Sequence, residues 1–244
     1  MKRIFTILAF TLSLSICHAQ DDVYLVSNPN TARWSYIETD SNGKMTATIF
    51  NSVESIEGDA VNGKIKMLVE EVPVASPKDT VKGFVYYRFK DGEFMADMSA
   101  MMSADYFASY LEDNYPELTE VQKKEVLEEL QSMYTSGEIR GIPRYPKTGK
   151  LPDYEFQFKL SIINMKVVGE ERRIVGTEKI QTGAGAFDYF IMEEKITSKI
   201  MVMKDVEKIR SWYAYGIGLV KEVTYDKNGK LVSTMILNEI TDIH

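Results

Sequence analysis

Hydrophobic and polar positions alternate through most of the chain. In 154–163, YEFQFKLSII, Phe156, Phe158, Leu160 and Ile162 take one parity and Glu155, Gln157, Lys159 and Ser161 the other. Successive side chains on a strand point to opposite faces, so this spacing predicts a half-buried β-strand. From residue 190 onward, Phe190, Met192, Ile196, Ile200 and Val202 alternate with Glu193, Lys195, Thr197 and Lys199. That is one long strand or a hairpin bent near Thr197. Residues 33–39, 44–56, 63–74, 82–90, 172–181, 207–215, 218–226 and 230–240 show the same period less cleanly. Asn42-Gly43, Asn62-Gly63, Asp91-Gly92 and Asn228-Gly229 lie between apolar runs and supply the positive φ of tight hairpins. The pattern predicts about nine strands in an antiparallel meander.

The middle of the chain breaks the period. Thr119 and Gln122 have capping-box spacing, and Val126, Leu127, Leu130, Met133 and Tyr134 follow at helical intervals up to Gly137. A weaker helix is expected over 103–112, with Tyr106, Phe107, Tyr110 and Leu111 apolar. The helical insertion thus spans about 98–136. The methionine-rich 95–102 has no clear period. Pro143, Pro146 and Pro152 with Gly141 and Gly149 make 139–153 an extended loop. It separates an N-terminal from a C-terminal half, and one sheet running through both is the simpler expectation. The fold class is mainly β (α+β), a single strongly curved antiparallel sheet with two inserted helices covering it.

The first 19 residues change the accounting. Lys2 and Arg3 precede an apolar stretch, Ile4 to Ile16, that is short for a membrane span, and Ala19 offers a small residue for cleavage. The reading is a secretory leader over 1–19 and one exported domain over 20–244, in the periplasm or at the outer envelope. Lipidation at Cys17 is the weaker alternative, because Ile16 occupies the place where Gly, Ala or Ser is usual. Cleavage removes the one cysteine and His18, leaving His244. Lys and Arg then fall from 29 to 27 against 36 Asp and Glu, a net charge of about −9. Phosphate backbones demand a basic footprint, so nucleic acid is not expected as a partner. Without an internal His there is no Ser-His-Asp or Cys-His machinery and no zinc site of Cys and His ligands. Catalytic residues, cofactor and metal are all expected to be none.

Three segments carry a family resemblance: IPRYPKTGKLPD (142–153), TGAGAFDYFIMEEKITSK (182–199) and WYAYGIGLVKEVTYDKNGKL (212–231). Their order and spacing resemble the DUF3108-like family of secreted Gram-negative envelope proteins. The resemblance covers roughly 140–240 well and the first half by general character. It implies a strongly curved antiparallel half-barrel with helical cover, similar to periplasmic lipoprotein carriers. It supplies no functional residue.

Candidate chemistry is sparse. DKNGK (226–230) and DSNGK (40–44) echo a calcium loop, but each leads into ordinary strand, and hairpin turns are the expectation. Four adjacent acid pairs, among them Glu170-Glu171 and Glu193-Glu194, are expected to be solvated, since neighbours on a strand face opposite ways. In WYAYGIGLVK, Trp212 is expected in the core with Tyr213 on the other side, the glycines letting the sheet reverse. The aromatic set that a concave face would offer a ligand is Trp34, Tyr36, Tyr86, Phe156, Phe158, Trp212, Tyr213 and Tyr215. The functional expectation is a non-catalytic periplasmic or envelope binding protein for an apolar or lipid-like ligand. The alternative is an envelope scaffold that meets a protein partner through a strand edge or the acidic face Glu117 to Glu129. A solid interior would favour the scaffold.

Overall fold

The computed structural model describes residues 32–242 apart from 59–62, 102, 104–105, 109–110, 113–114, 131–133, 144, 161–162, 202 and 215–216. The expected leader with Cys17 and Ala19, and expectations resting on Asn62, Met102, Tyr110, Met133, Tyr215, Gly216 and His244, lie outside the described residues.

The N-terminal half runs β1 (Ala32–Asp40), β2 (Met45–Glu57), β3 (Lys64–Pro73), β4 (Val81–Lys90) and β5 (Glu93–Ala96). Helices α1 (Met98–Met101) and α2 (Glu120–Leu130) follow, and between them the described residues 106–108 and 111–112 are helical, within the stretch 103–112 where a helix is expected. Short strands β6 (Tyr134–Glu138), β7 (Ile142–Pro143) and β8 (Gly149–Lys150) lead into the second half. That half contains β9 (Tyr154–Leu160), β10 (Ile163–Thr182), β11 (Gly185–Ile200), β12 (Met203–Ala214), β13 (Gly218–Asp226) and β14 (Leu231–Asp242).

All fourteen described strands join one antiparallel sheet, ordered β6-β9-β10-β11-β12-β13-β14-β1-β2-β3-β4-β5-β7, with β8 beside β10. Two meanders therefore meet where β14 pairs β1, with Trp34 opposite Ile240 and Ile37 opposite Ile236. The sheet is not closed, because β6 and β7 end the order without pairing each other. They are nevertheless near neighbours in the chain. Glu138 pairs Glu155 at one end of the order, and Ile142 pairs Phe94 at the other. The four Cα–Cα steps from Glu138 to Ile142 can span only about 14 Å. Gly141 sits there because a Cβ at that position would collide with the Phe94 carbonyl.

Local chemistry explains the elements. β2 buries Ala47, Ile49, Asn51 and Val53 and turns the alternate residues outward, the two-residue period the sequence carries. The turns DSNGK and DKNGK share one geometry. Asp40 Oδ1 accepts the N–H groups of Asn42 (2.8 Å) and Lys44 (3.0 Å), and Asp226 Oδ1 those of Asn228 (2.8 Å) and Lys230 (2.9 Å). Gly43 (φ 77°) and Gly229 (φ 80°) provide the left-handed residue. Both are hairpin turns. At α2 the Thr119 N–H donates to Gln122 Oε1 (2.9 Å) and the Gln122 N–H to Thr119 Oγ1 (3.3 Å), a capping box.

Two sequence expectations change, and one alternative is decided. The strands number fourteen rather than about nine, because β5 to β8 are too short to display a period. The helix stops at Leu130, and Tyr134–Glu138 is strand, since pairing with β9 places Thr135 opposite Phe158. Helical spacing through Tyr134 is overridden by that tertiary partner. Of the two alternatives near Thr197, the single long strand holds: β11 runs through Thr197, which pairs Val168 on one side and Val206 on the other.

Candidate functional site

The interior is built by the sheet's own side chains. Trp34, Tyr36 and Phe156 are each 1% exposed, and Phe158 and Tyr213 are buried with them. Phe190 stacks on Tyr213 at 5.4 Å, and Tyr87 stacks on Phe94 at 4.9 Å. The Tyr36 hydroxyl donates to the Leu219 carbonyl at 3.1 Å, fastening β1 to β13. Burial pushes the Tyr87 phenol well above its usual range, and Tyr213, Tyr36 and Glu222 add to the shift. Tyr87 belongs to β4 and Tyr213 to β12, six places apart in the strand order, yet they share this interior. The cavity among Tyr87, Phe94, Tyr154, Met192 and Tyr213 measures about 20 Å³, the room of a single water.

The predicted aromatics therefore divide. Trp34, Tyr36, Phe156, Phe158 and Tyr213 belong to the packed interior. Tyr86 precedes Tyr87 with opposite parity in β4, and its ring meets Tyr106 edge-on at 6.2 Å. Trp212 precedes Tyr213 and likewise faces the other side. There the Arg210 guanidinium lies 5.2 Å and the Lys221 ammonium 4.9 Å from its ring. The expectation for this pair holds in part: Trp212 is buried in the core cluster as expected, but Tyr213 is buried there too and stacks on Phe190. Tyr215 lies outside the described residues.

Polar groups inside were less visible in the sequence. Ser211 Oγ donates to buried Glu222 at 3.0 Å. Asn51 faces Trp34 across β1 and β2, and neither its amide nor Trp34 Nε1 finds a hydrogen-bond partner among the described residues. The largest polar feature is Arg172, 1% exposed. Its Nε donates to Glu194 at 3.0 Å, Nη1 to the Pro152 carbonyl at 2.7 Å, and Nη2 to the carbonyls of Arg140 (3.0 Å) and Gly141 (2.8 Å). One side chain thus ties the proline-rich loop and the β6–β7 link to β10 and β11. Arg140 adds a bidentate bond to Glu93 on β5.

A β-bulge aims Arg172 inward. The β10–β11 register passes from Glu170 opposite Lys195 to Arg173 opposite Glu193, so Glu171 and Arg172 together face Glu194. Glu171 takes φ 54°, which costs a non-glycine residue of order 1 kcal/mol. Glu194 is accordingly buried, correcting the expectation that both members of its acid pair are solvated. Burial raises its carboxyl above the usual range, with Arg172 pulling the other way. The available signal was EERR in β10 opposite EE in β11: four charges in one strand need a bulge or a buried partner.

Outside, over β10 to β13, lies an open cleft of about 860 Å³. Lys150, Arg173, Lys195, Lys208 and Arg210 line it, against Glu171 and Glu193. Among the described residues no group of His, Cys, Asp and Glu could hold a metal ion. Among them, too, no helix is long and apolar enough to cross a membrane.

The class is thus a mainly β protein built on one large open antiparallel sheet. The chain belongs to the DUF3108-like family, whose profile matches residues 30–237. No curated protein matches it. Two solved structures share the fold. One is a "putative lipoprotein" from Parabacteroides distasonis, 17% identical, TM-score 0.62, covering 91% of this chain and 100% of that one. The other is a "putative exported protein with YmcC-like fold" from Bacteroides fragilis, 16% identical, TM-score 0.59, covering 94% and 100%.

Proposed function

We propose that this is an exported, non-catalytic envelope protein that acts through its outer surface as an interaction module. In this reading the sheet curls into a half-barrel trough filled by its own side chains. The carrying observation is the interior cavity of about 20 Å³, where pockets for small ligands run to several hundred. That favours the scaffold over the carrier of an apolar or lipid-like ligand. Curling is supported by the three-residue β6–β7 link and by Tyr87 meeting Tyr213. Export is supported by the N-terminal leader pattern and by the names of the two fold neighbours.

The surface that fits a protein partner is α2. Val121 is 67% exposed and Val126 40%, amid Glu120, Glu125 and Glu128, so the helix covers little of the sheet. Two measurements test the reading. Mass spectrometry of protein purified from native membranes and washed with pyrophosphate is expected to find no stoichiometric lipid; one lipid per chain retained through that wash would sink it. Val121→Lys with Val126→Lys is expected to leave thermal stability unchanged and to release a partner that copurifies with the wild type.

A further inference from the structure

We propose that the outward cleft over β10 to β13 binds oxyanions of the phosphate class. It goes beyond the reading above and does not depend on what α2 meets. The sequence carries a net charge of −7, yet this cleft gathers five cationic side chains against two outward carboxylates. Their placement follows from register. Arg173, Glu193 and Arg210 stand side by side on β10, β11 and β12. Glu193 is shared, with Arg173 at 2.7 Å and Arg210 at 3.6 Å, so one carboxylate serves two guanidiniums. The next rung sets Lys195 directly opposite Lys208, a like-charge pair that a sheet normally avoids. Glu170 and Glu171 hold Lys195. Lys208 has no ion pair or side-chain hydrogen bond among the described residues, and Arg210 Nε is buried without a partner.

Two planar forks and two ammonium groups converging on one hollow match a ligand with several acceptor oxygens and more than one charge. Arg210 is pre-positioned by its seat beside the Trp212 ring. Lys150, on β8 and paired with Asp153 at 3.3 Å, stands at the loop side of the cleft. The volume accommodates a phosphorylated sugar or a phospholipid headgroup, and the shared phosphate chemistry is what the cleft reads.

The test is calorimetric titration of the purified protein with pyrophosphate at low ionic strength. Saturable one-to-one binding is expected. Lys208→Gln is expected to weaken it about tenfold through loss of one charge-assisted contact. Arg173→Gln, equally exposed and safe for folding, is expected to act alike. Lys227→Gln, in the exposed turn after β13, is expected to change nothing. Flotation with phosphatidylglycerol or phosphatidylcholine vesicles separates the sources. Capture by the anionic vesicles that pyrophosphate displaces assigns a headgroup; pyrophosphate binding without capture assigns a free phosphorylated ligand. Either supports the site. Absence of both, or equal weakening by Lys208→Gln and Lys227→Gln, overturns it.

Discussion

Arg172 and Arg173 are neighbours in one strand, and each faces a glutamate of β11. Arg172 with Glu194 is 1% and 7% exposed at the side chain; Arg173 with Glu193 is 61% and 26% exposed. The two ion pairs have nearly equal lengths, 3.0 and 2.7 Å. Their consequences differ because water screens one and not the other. In the exposed pair solvent competes, and such pairs contribute about 0.2–1 kcal/mol. In the buried pair neither charge has water to return to. Removing one member leaves the other stranded, at about 3–5 kcal/mol. A single bulge residue, Glu171, decides which arginine has which fate.

The largest expected effect is therefore Arg172→Met. It strands Glu194 and frees the carbonyls of Pro152, Arg140 and Gly141 together. A loss of about 3–5 kcal/mol is expected in urea unfolding. A loss under about 1 kcal/mol would erase the contrast between the pairs. The same variant carries a pH signature. The Glu194 carboxyl is raised above its ordinary value of 4.5 in the folded protein. Stability from such a group is complete below the unfolded value and is lost as pH rises through the folded one. Without Arg172 the raise grows, so Arg172→Met is expected to lose more stability than wild type between acid and neutral pH. Arg172→Met with Glu194→Gln is expected to lose that added slope.

Next comes Gly141→Ala, about 2–3 kcal/mol, because the added methyl meets the Phe94 backbone and the β6–β7 link cannot retreat. Its unfolding midpoint checks this. Arg173→Ala is expected to be smallest, about 0.2–1 kcal/mol and fading in salt. Its effect belongs instead to the anion titration.

Some of this was legible. Thr119 and Gln122 announced α2 because a capping box needs only three residues of chain. DSNGK and DKNGK announced hairpins because the Asp, Asn and Gly act on their own backbone. Tyr134 to Glu138 did not look like strand, because its partner, β9, is supplied by a later part of the chain. The described members of the aromatic set lie on strands. Parity gave the faces, but nothing local said that Tyr213 rather than Trp212 meets Tyr87.

The sequence by itself determined the antiparallel strands, their main turns and the acidic balance. These are short-range or compositional properties, fixed by a two-residue period and by residue type. Only the tertiary structure decided that β14 joins β1, that Arg172 is inside while Arg173 is outside, and that five cations of an acidic chain share one cleft. Those outcomes depend on register between segments far apart in sequence, where a shift of one residue exchanges the two faces.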